Sequence, residues 1–134
     1  MLPASTMSSG TCTNLAPDVC KVPTAAGPIP TPFPNISQCA MSTGTATKVT
    51  FSQGPVIHKL SKMSMSSADE AGVAGGVVSN VNMNQVSYML GSVKVTIEGQ
   101  QCVYQTCSTG HNGASLNITG LQSVLSQANV TVCP

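Results

Sequence analysis

Residues 48–58, "KVTFSQGPVIH", and residues 94–104, "KVTIEGQQCVY", are two copies of one pattern. In each copy a β-branched run is followed by a glycine and then by a second short apolar run, as in a β-hairpin. The turns are expected at residues 53–55 and 98–100. The copies recur at a spacing of about 46 residues, and a repeat is stronger evidence than either hairpin alone. The repeat predicts an all-β fold.

The segment between the two copies predicts a third unit. Gly72, Gly75 and Gly76 argue against a helix there, because glycine is a poor helix former. Residues 77–90, "VVSNVNMNQVSYML", predict a further pair of strands. The sequence then contains three hairpin-like units, each too short to be stable unless it packs on the others.

The two ends of the chain lack this pattern. Residues 1–38 have no periodicity and predict an extended arm over a core. Within them, residues 28–35, "PIPTPFPN", favour a polyproline II segment or an edge strand on an outer surface, because proline has no amide donor. In the tail, residues 111–134, "LQSVLSQ" is compatible with a short helix and "NVTVCP" with a last strand. We expect one domain over residues 1–134, with the hairpin units in residues 39–110.

The composition is unusually poor in charge. Charged residues make up 7% of the 134 residues, the formal net charge is +1, and the five cationic side chains are all lysines. Binding to phosphate backbones depends on clustered Lys and Arg, so nucleic acid is excluded as a partner. A surface of small polar residues gives little electrostatic solubility, which is typical of a protein that works while bound to a partner. The N-terminal sequence lacks the features of a signal peptide, and we expect no export by that route.

Cysteine and histidine are the best candidates for chemistry. Cys107 and His111 lie four residues apart in the loop "TCSTGHNG", and Cys12 and Cys20 lie in a second loop, "TCTNLAPDVC". Thiolate and imidazole together favour zinc in a structural site, so we predict these four residues as zinc ligands. Without a signal peptide, free thiols and metal ligands compete with disulfides as the state of the cysteines. The disulfide alternatives are Cys12–Cys20 and Cys102–Cys107.

The remaining cysteines and the second histidine have simpler interpretations. Cys102 and Cys133 alternate with valines, which indicates small buried hydrophobic side chains. Cys39 is either a third small buried hydrophobic side chain or a further candidate metal ligand. His58 follows "PVI" on an alternating strand, where it is either a surface histidine or a further candidate ligand.

Enzymatic activity has little support in the sequence. A nucleophilic enzyme needs a base, and neither His58 nor His111 lies in a catalytic motif. Asp69 and Glu70 are adjacent, so in a strand they would point to opposite faces and could not act as an acid and base pair. We therefore predict that the protein is not an enzyme, with a thiol hydrolase that uses Cys107 and His111 as the catalytic alternative.

Several motifs together resemble one known family. In chain order they are "PDVCKVP" at residues 17–23, "PIPTPFPN", "SSADEAGVAGGVVS" at residues 66–79, "GSVKVTIEG" at residues 91–99 and "HNG" at residues 111–113. The same order is found in PAAR-like proteins of the DUF4150 type, which are relatives of the tip proteins of bacterial type VI secretion systems. The resemblance extends over about residues 7–115.

The resemblance implies both a fold and a role. The fold would be a small cone, similar to a β-prism, of three hairpin units with pseudo-threefold symmetry and extended arms. Such tips sit as monomers on the blunt end of the trimeric valine-glycine-repeat (VgrG) spike, which they sharpen for membrane puncture and effector delivery. The protein would reside in the bacterial cytoplasm before firing and would then be delivered through the apparatus. Its partners would be the spike, effector proteins and, transiently, the target membrane.

The resemblance also implies one zinc ion close to the apex, bound by His and Cys. His111 in "HNG" and Cys20 in "PDVC" match the family pattern best. The chain departs from the pattern at Ala68, where relatives have Gly, and at residues 101–104, where the eponymous Pro-Ala-Ala-Arg is absent. Cys107 replaces the Asp that usually follows, which makes it a further candidate ligand.

A different class of protein is the main alternative. Six cysteines would also suit a small secreted β-protein that is stapled by disulfides and acts as a binding module. Free thiols favour the spike tip, and three bridges would favour the secreted module.

Overall fold

The computed structural model describes residues 1–52 and 54–134, which form short β-strands and one 3-10 helical turn, Cys39–Met41. The strands are β1 Leu2–Pro3, β2 Thr11–Asn14, β3 Asp18–Val22, β4 Ile29–Phe33, β5 Ile36–Gln38, β6 Ser42–Thr43, β7 Thr50–Phe51, β8 Gly54–Pro55, β9 Lys62–Met63, β10 Val86–Tyr88, β11 Thr96–Ile97, β12 Gln100–Gln101, β13 Ser108–His111, β14 Ile118–Val124 and β15 Thr131–Val132. The predicted all-β fold is confirmed. In the described part of the chain, no helix has the length and apolar character needed to cross a membrane.

Three backbone hydrogen bonds close a ring in the core. Ser5 N–H donates to Val103 O at 2.9 Å, Ile57 N–H to Ser5 O at 2.9 Å, and Val103 N–H to Ile57 O at 3.4 Å. All three residues are fully buried. Each one donates to one neighbour and accepts from the other, so a pseudo-threefold axis passes through the ring. The pseudo-threefold symmetry implied by the family resemblance is confirmed.

The two copies of the sequence repeat occupy equivalent positions around this axis. The equivalent hydrogen bonds are Val56 N–H to Val49 O (3.2 Å), Cys102 N–H to Val95 O (3.0 Å) and Ala4 N–H to Val130 O (2.9 Å). The first bond belongs to the β7–β8 hairpin and the second to the β11–β12 hairpin, both antiparallel. Of the first predicted turn, Gly54 and Pro55 form β8, and Gln53 lies outside the described residues.

The two ends of the chain form the third unit. β1 pairs with β15 in antiparallel register, with Leu2 opposite Val132. The prediction that residues 77–90 form this unit is wrong, because only Val86–Tyr88 of that segment is a strand. Pairing between residues so far apart in the chain leaves no local sequence pattern, and the hairpin prediction therefore fell on the wrong segment.

The largest sheet in the described part of the chain is antiparallel and has seven strands. Its strand order is β5-β2-β14-β13-β10-β9-β6. The predicted helix "LQSVLSQ" is wrong, because residues 121–124 belong to β14, which pairs with both β13 and β2. The last predicted strand is confirmed as β15. The segment 1–38, expected to be an arm, contributes β2 to the interior of this sheet.

The proline-rich segment forms the outer strand of a separate two-stranded ribbon. β4 pairs with β3 over five residues, with Pro32 opposite Val19 and Pro30 opposite Lys21. Pro30 and Pro32 are exposed, as expected for residues without amide donors on an edge. The predicted edge strand on an outer surface is confirmed.

Two apolar clusters fill the interior around the ring. One contains Ile57, Val103, Met63, Val86 and Tyr88, together with three cysteines, Cys12, Cys39 and Cys107. The other contains Ala4, Ala46, Val56, Ile97, Cys102 and Val132. The predicted burial of Cys102 is confirmed, whereas Cys133 is half-buried. All six cysteines are free thiols, so neither of the two alternative disulfides is formed.

Candidate metal centre

A buried polar centre lies beyond the core, where β3 meets the end of β13 and the connection between β9 and β10. Asp18 and Cys20 belong to β3, Asp69 lies in the connection, Asn112 follows β13, and Asn35 precedes β5. All five side chains are fully buried. Asp18 and Cys20 are two residues apart on a strand, so both side chains point to the same face.

Glycines allow the connection to approach β3 closely. A Cβ atom on Gly72 would lie 2.3 Å from Cys20 Cβ, and one on Gly76 would lie 2.4 Å from Asn117 Cγ. Gly76 also forms an isolated antiparallel β-bridge with Cys20. A larger residue would clash with Cys20 at position 72 and with Asn117 at position 76, so the glycines of the sequence motif shape the centre.

The thiol and the two carboxylates lie within contact distance of one another. Cys20 Sγ is 3.8 Å from Asp18 Oδ2 and 3.8 Å from Asp69 Oδ2. Asn112 Nδ2 donates to Asp69 Oδ2 at 2.7 Å and also donates to Asp18 Oδ2, so this amide bridges the two carboxylates. Met83 N–H donates to Asp69 Oδ2 at 3.2 Å. Asp69 Oδ1 has no hydrogen-bond partner, although it is buried.

Neutral amides provide the other donors to Asp18. Asn35 Nδ2 donates to Asp18 Oδ2 at 2.8 Å, and Asn117 Nδ2 donates to Asp18 Oδ1. The Asn117 carbonyl accepts from Val78 N–H at 2.8 Å, which fixes the orientation of its amide. The carboxylates are therefore surrounded by oriented dipoles.

Burial dominates the electrostatics of the centre. It raises the pKa of Asp18 above the ordinary value of an aspartate, even though Asn117 and Asn35 donate to the carboxylate. Burial, with the two carboxylates adding to it, raises the pKa of Cys20 to about 12. The centre therefore holds Cys20 as a thiol in contact with two acidic groups.

His111 lies next to the centre, and its two ring nitrogens contact Asn35 and Thr109. Its Nδ1 is 2.6 Å from Asn35 Oδ1, an acceptor, so Nδ1 carries the proton and donates it there. Its Nε2 then accepts from Thr109 Oγ1 at 3.0 Å. Burial lowers the pKa of His111 to about 4, which keeps the ring neutral at pH 7. His111 thus orients Asn35, which in turn donates to Asp18.

The structure does not bring the four predicted ligands together. Cys20 and His111 are both at the centre, linked through Asn35. Cys12 and Cys107 lie in the apolar cluster around Tyr88 instead, with Cys12 Sγ 3.7 Å from Tyr88 Oη. The neighbouring Cys39 thiol and burial raise the pKa of Cys12 well above its ordinary value. The four-residue ligand set stays a prediction.

The two other candidate ligands lie elsewhere. Cys39 Sγ is 3.6 Å from the same Tyr88 Oη as Cys12. His58 bridges to Cys102 beside the ring, and its Nδ1 is 3.5 Å from Ser61 Oγ. Neither residue is at the polar centre.

Asp18, Cys20 and Asp69 are the residues that could hold a metal ion in the described part of the chain. One ligand atom from each lies within 4.8 Å of the others. Thiolate sulfur and carboxylate oxygen are both ligands of zinc in proteins, so the donor set fits such an ion. The unpartnered Asp69 Oδ1 supplies a further oxygen without loss of a hydrogen bond.

The sequence interpretation missed both aspartates. Asp18 lies in the same "PDVC" motif as Cys20, and the spacing of two residues on a strand was the signal that could have revealed it. Asp69 was considered only as a catalytic partner of Glu70. The structure buries Asp69 and leaves Glu70 exposed, so the two adjacent side chains do point in different directions.

The fold and the centre define a small pseudo-threefold β-prism with a buried carboxylate and thiol centre. The chain belongs to the toxin PAAR-like domain family, whose model matches residues 11–119. This confirms the resemblance found in the sequence, and membership supports a spike-tip or toxin-associated role in general, with a spike-type partner. No curated protein and no solved structure matches the chain.

Proposed function

We propose that this domain is the structural tip that caps the trimeric VgrG-type spike of a type VI secretion apparatus. The observation that carries the proposal is the ring of Ser5, Ile57 and Val103 in a chain of the PAAR-like family. A monomer with three equivalent segments around one axis can meet three identical subunits at once. One chain can therefore close the end of a trimer.

The three two-stranded ribbons around the axis match the end of a trimer in number. They are β1–β15, β7–β8 and β11–β12, each with two short strands. An open trimeric β-structure leaves unpaired strand edges at its end, and a cap with three edges satisfies them. The tip has a mechanical role and no catalytic step. It leads the spike through the target membrane and connects effector proteins to it.

We further propose that the tip holds one zinc ion. The family resemblance implies zinc, and the thiol and two carboxylates at the polar centre are suitable donors. Zinc would link β3 to the connection between β9 and β10, which has little apolar core of its own.

The protein is made in the bacterial cytoplasm and leaves it when the apparatus fires.

Co-purification tests the capping role. The full chain is expressed with its cognate trimeric VgrG-type spike protein, and the complex is analysed by size-exclusion chromatography with light scattering and by electron microscopy. We expect one copy of this chain on one end of each trimer. The spike trimer alone is the control. Absence of a complex, or three copies per trimer, would contradict the proposal.

A further inference from the structure

Two buried carboxylates lie side by side at the polar centre with only neutral donors around them. Asp18 and Asp69 are fully buried, and both accept from the same amide, Asn112 Nδ2. Their other donors are amides, a backbone N–H and the Cys20 thiol. Two carboxylates that share one amide donor repel each other when both are ionised, and neutral dipoles offset this repulsion only in part.

A second observation points to a ligand. Asp69 Oδ1 is buried and has no partner, whereas a buried carboxylate oxygen is normally hydrogen-bonded. The same side chain places its Oδ2 within 3.8 Å of Cys20 Sγ. The centre thus combines a spare oxygen, a second carboxylate and a thiol.

We infer that Asp18, Cys20 and Asp69 are the protein's own ligands to a divalent cation of the zinc type. The inference rests on the zinc of the proposed function and names its ligands, which differ from the four residues predicted from the sequence.

The donor set selects the class of cation. Mg²⁺ and Ca²⁺ prefer sites made only of oxygen, whereas Zn²⁺ and its substitute Co²⁺ accept thiolate. On binding, the Cys20 thiol releases its proton to solvent and the sulfur becomes the anionic ligand. The two positive charges of the cation then offset two of the three negative charges on the carboxylates and the thiolate, and the cation connects residues that are far apart in sequence.

Cobalt absorption tests the assignment on the full-length chain. A thiolate bound to Co²⁺ gives a charge-transfer band in the near ultraviolet, and we expect this band in the wild type. Cys20→Ser should abolish the band, and Asp69→Asn should weaken Co²⁺ binding by at least about tenfold. Cys133→Ser is the matched control, because Cys133 is half-buried and outside the centre, and it should keep the band.

Circular dichroism checks that each variant is folded. If Asp69→Asn or Cys20→Ser does not fold, the wild type still tests whether the cation binds, because its melting temperature should rise with Zn²⁺ and not with Mg²⁺, and Cys12→Ser and Cys107→Ser then test the competing ligand set. No rise with Zn²⁺ would overturn the inference. A band that survives Cys20→Ser, or one lost in Cys12→Ser or Cys107→Ser, would also overturn it. Formation of the complex with the spike is measured separately, so failure here leaves the capping role intact.

Discussion

At the scale of single residues, Asn112 shows how a neutral side chain can organise buried acids. Its backbone has a φ of 62°, a left-handed conformation that asparagine tolerates better than most residues. Its Oδ1 accepts from Ser66 Oγ at 3.1 Å and from Asn84 N–H at 3.2 Å. With its oxygen fixed in this way, Nδ2 must face the carboxylates of Asp18 and Asp69.

His111 should make the protein less stable in mild acid. Its pKa in the folded protein is about 4, below the ordinary value of 6.5, so the unfolded chain binds a proton that the folded chain excludes. The free energy of unfolding should fall as the pH drops from about 6.5 to about 4, by roughly 3 kcal/mol in total from this residue. Urea unfolding measured across this pH range checks the slope.

The matched variant for this prediction is His111→Gln, which cannot titrate. The difference in unfolding free energy between wild type and variant should stay constant from pH 7 to pH 8 and shrink below pH 6.5. Equal slopes in both proteins between pH 6.5 and pH 4 would contradict the assignment of a buried neutral histidine.

The residues of the centre were only partly predictable from the sequence. Cys20 and His111 stood out because thiols and imidazoles are rare and lie in recognisable motifs. Asn35 and Asn112 lie in the motifs "PIPTPFPN" and "HNG", but asparagine is common in turns and its buried role appears only when distant segments meet. Asp69 comes from a segment without periodicity, so nothing in the sequence placed it against β3.

At the scale of elements, the proline-rich strand β4 stiffens the ribbon that carries Asp18 and Cys20. β4 pairs with β3 along its whole length, with Thr31 opposite Cys20. Proline reduces the conformational freedom of the unfolded chain, and on an exposed edge it sacrifices no ladder hydrogen bond. The same prolines discourage another strand from adding to this edge.

Replacement of Pro30, Pro32 and Pro34 by alanine should lower the stability of the protein. Each proline contributes about 0.4–1 kcal/mol through the unfolded state, so the triple variant should lose roughly 1–3 kcal/mol. The midpoint of urea unfolding measures this loss. Pro134→Ala, at an exposed chain end, is the control and should be neutral. An unchanged midpoint in the triple variant would mean that the segment acts only as a linker.

The elements also show why local patterns succeed for hairpins and fail elsewhere. The two repeat copies were recognised because each unit closes within about a dozen residues. "LQSVLSQ" has the spacing of a helix of barely two turns, which is marginal on its own, and pairing with both β2 and β13 overrides it. The β1–β15 ribbon joins opposite ends of the chain, and no local pattern can predict such a pair.

At the scale of the whole molecule, the pseudo-threefold axis relates surface positions as well as the core. Thr50 on β7, Thr96 on β11 and Thr131 on β15 are each exposed. Thr50 and Thr96 are equivalent in the sequence repeat, and Thr131 follows Val130, which accepts a hydrogen bond as Val49 and Val95 do. In the capping role proposed above, these three equivalent positions would each meet one subunit of the trimer.

Substitution of all three threonines by glutamate should therefore block capping without unfolding the domain. Each substitution places a charge where one subunit of the trimer would bury it, and burial of an unpaired charge costs free energy. We expect affinity for the VgrG-type spike to fall at least about tenfold, measured by biolayer interferometry, with an unchanged melting temperature. The control is Thr24, Thr43 and Thr119 to glutamate, which adds the same charge at exposed positions unrelated by the axis. Equal loss of affinity in both triple variants would indicate a general effect of charge, and no loss in the first would place the spike contact on another face.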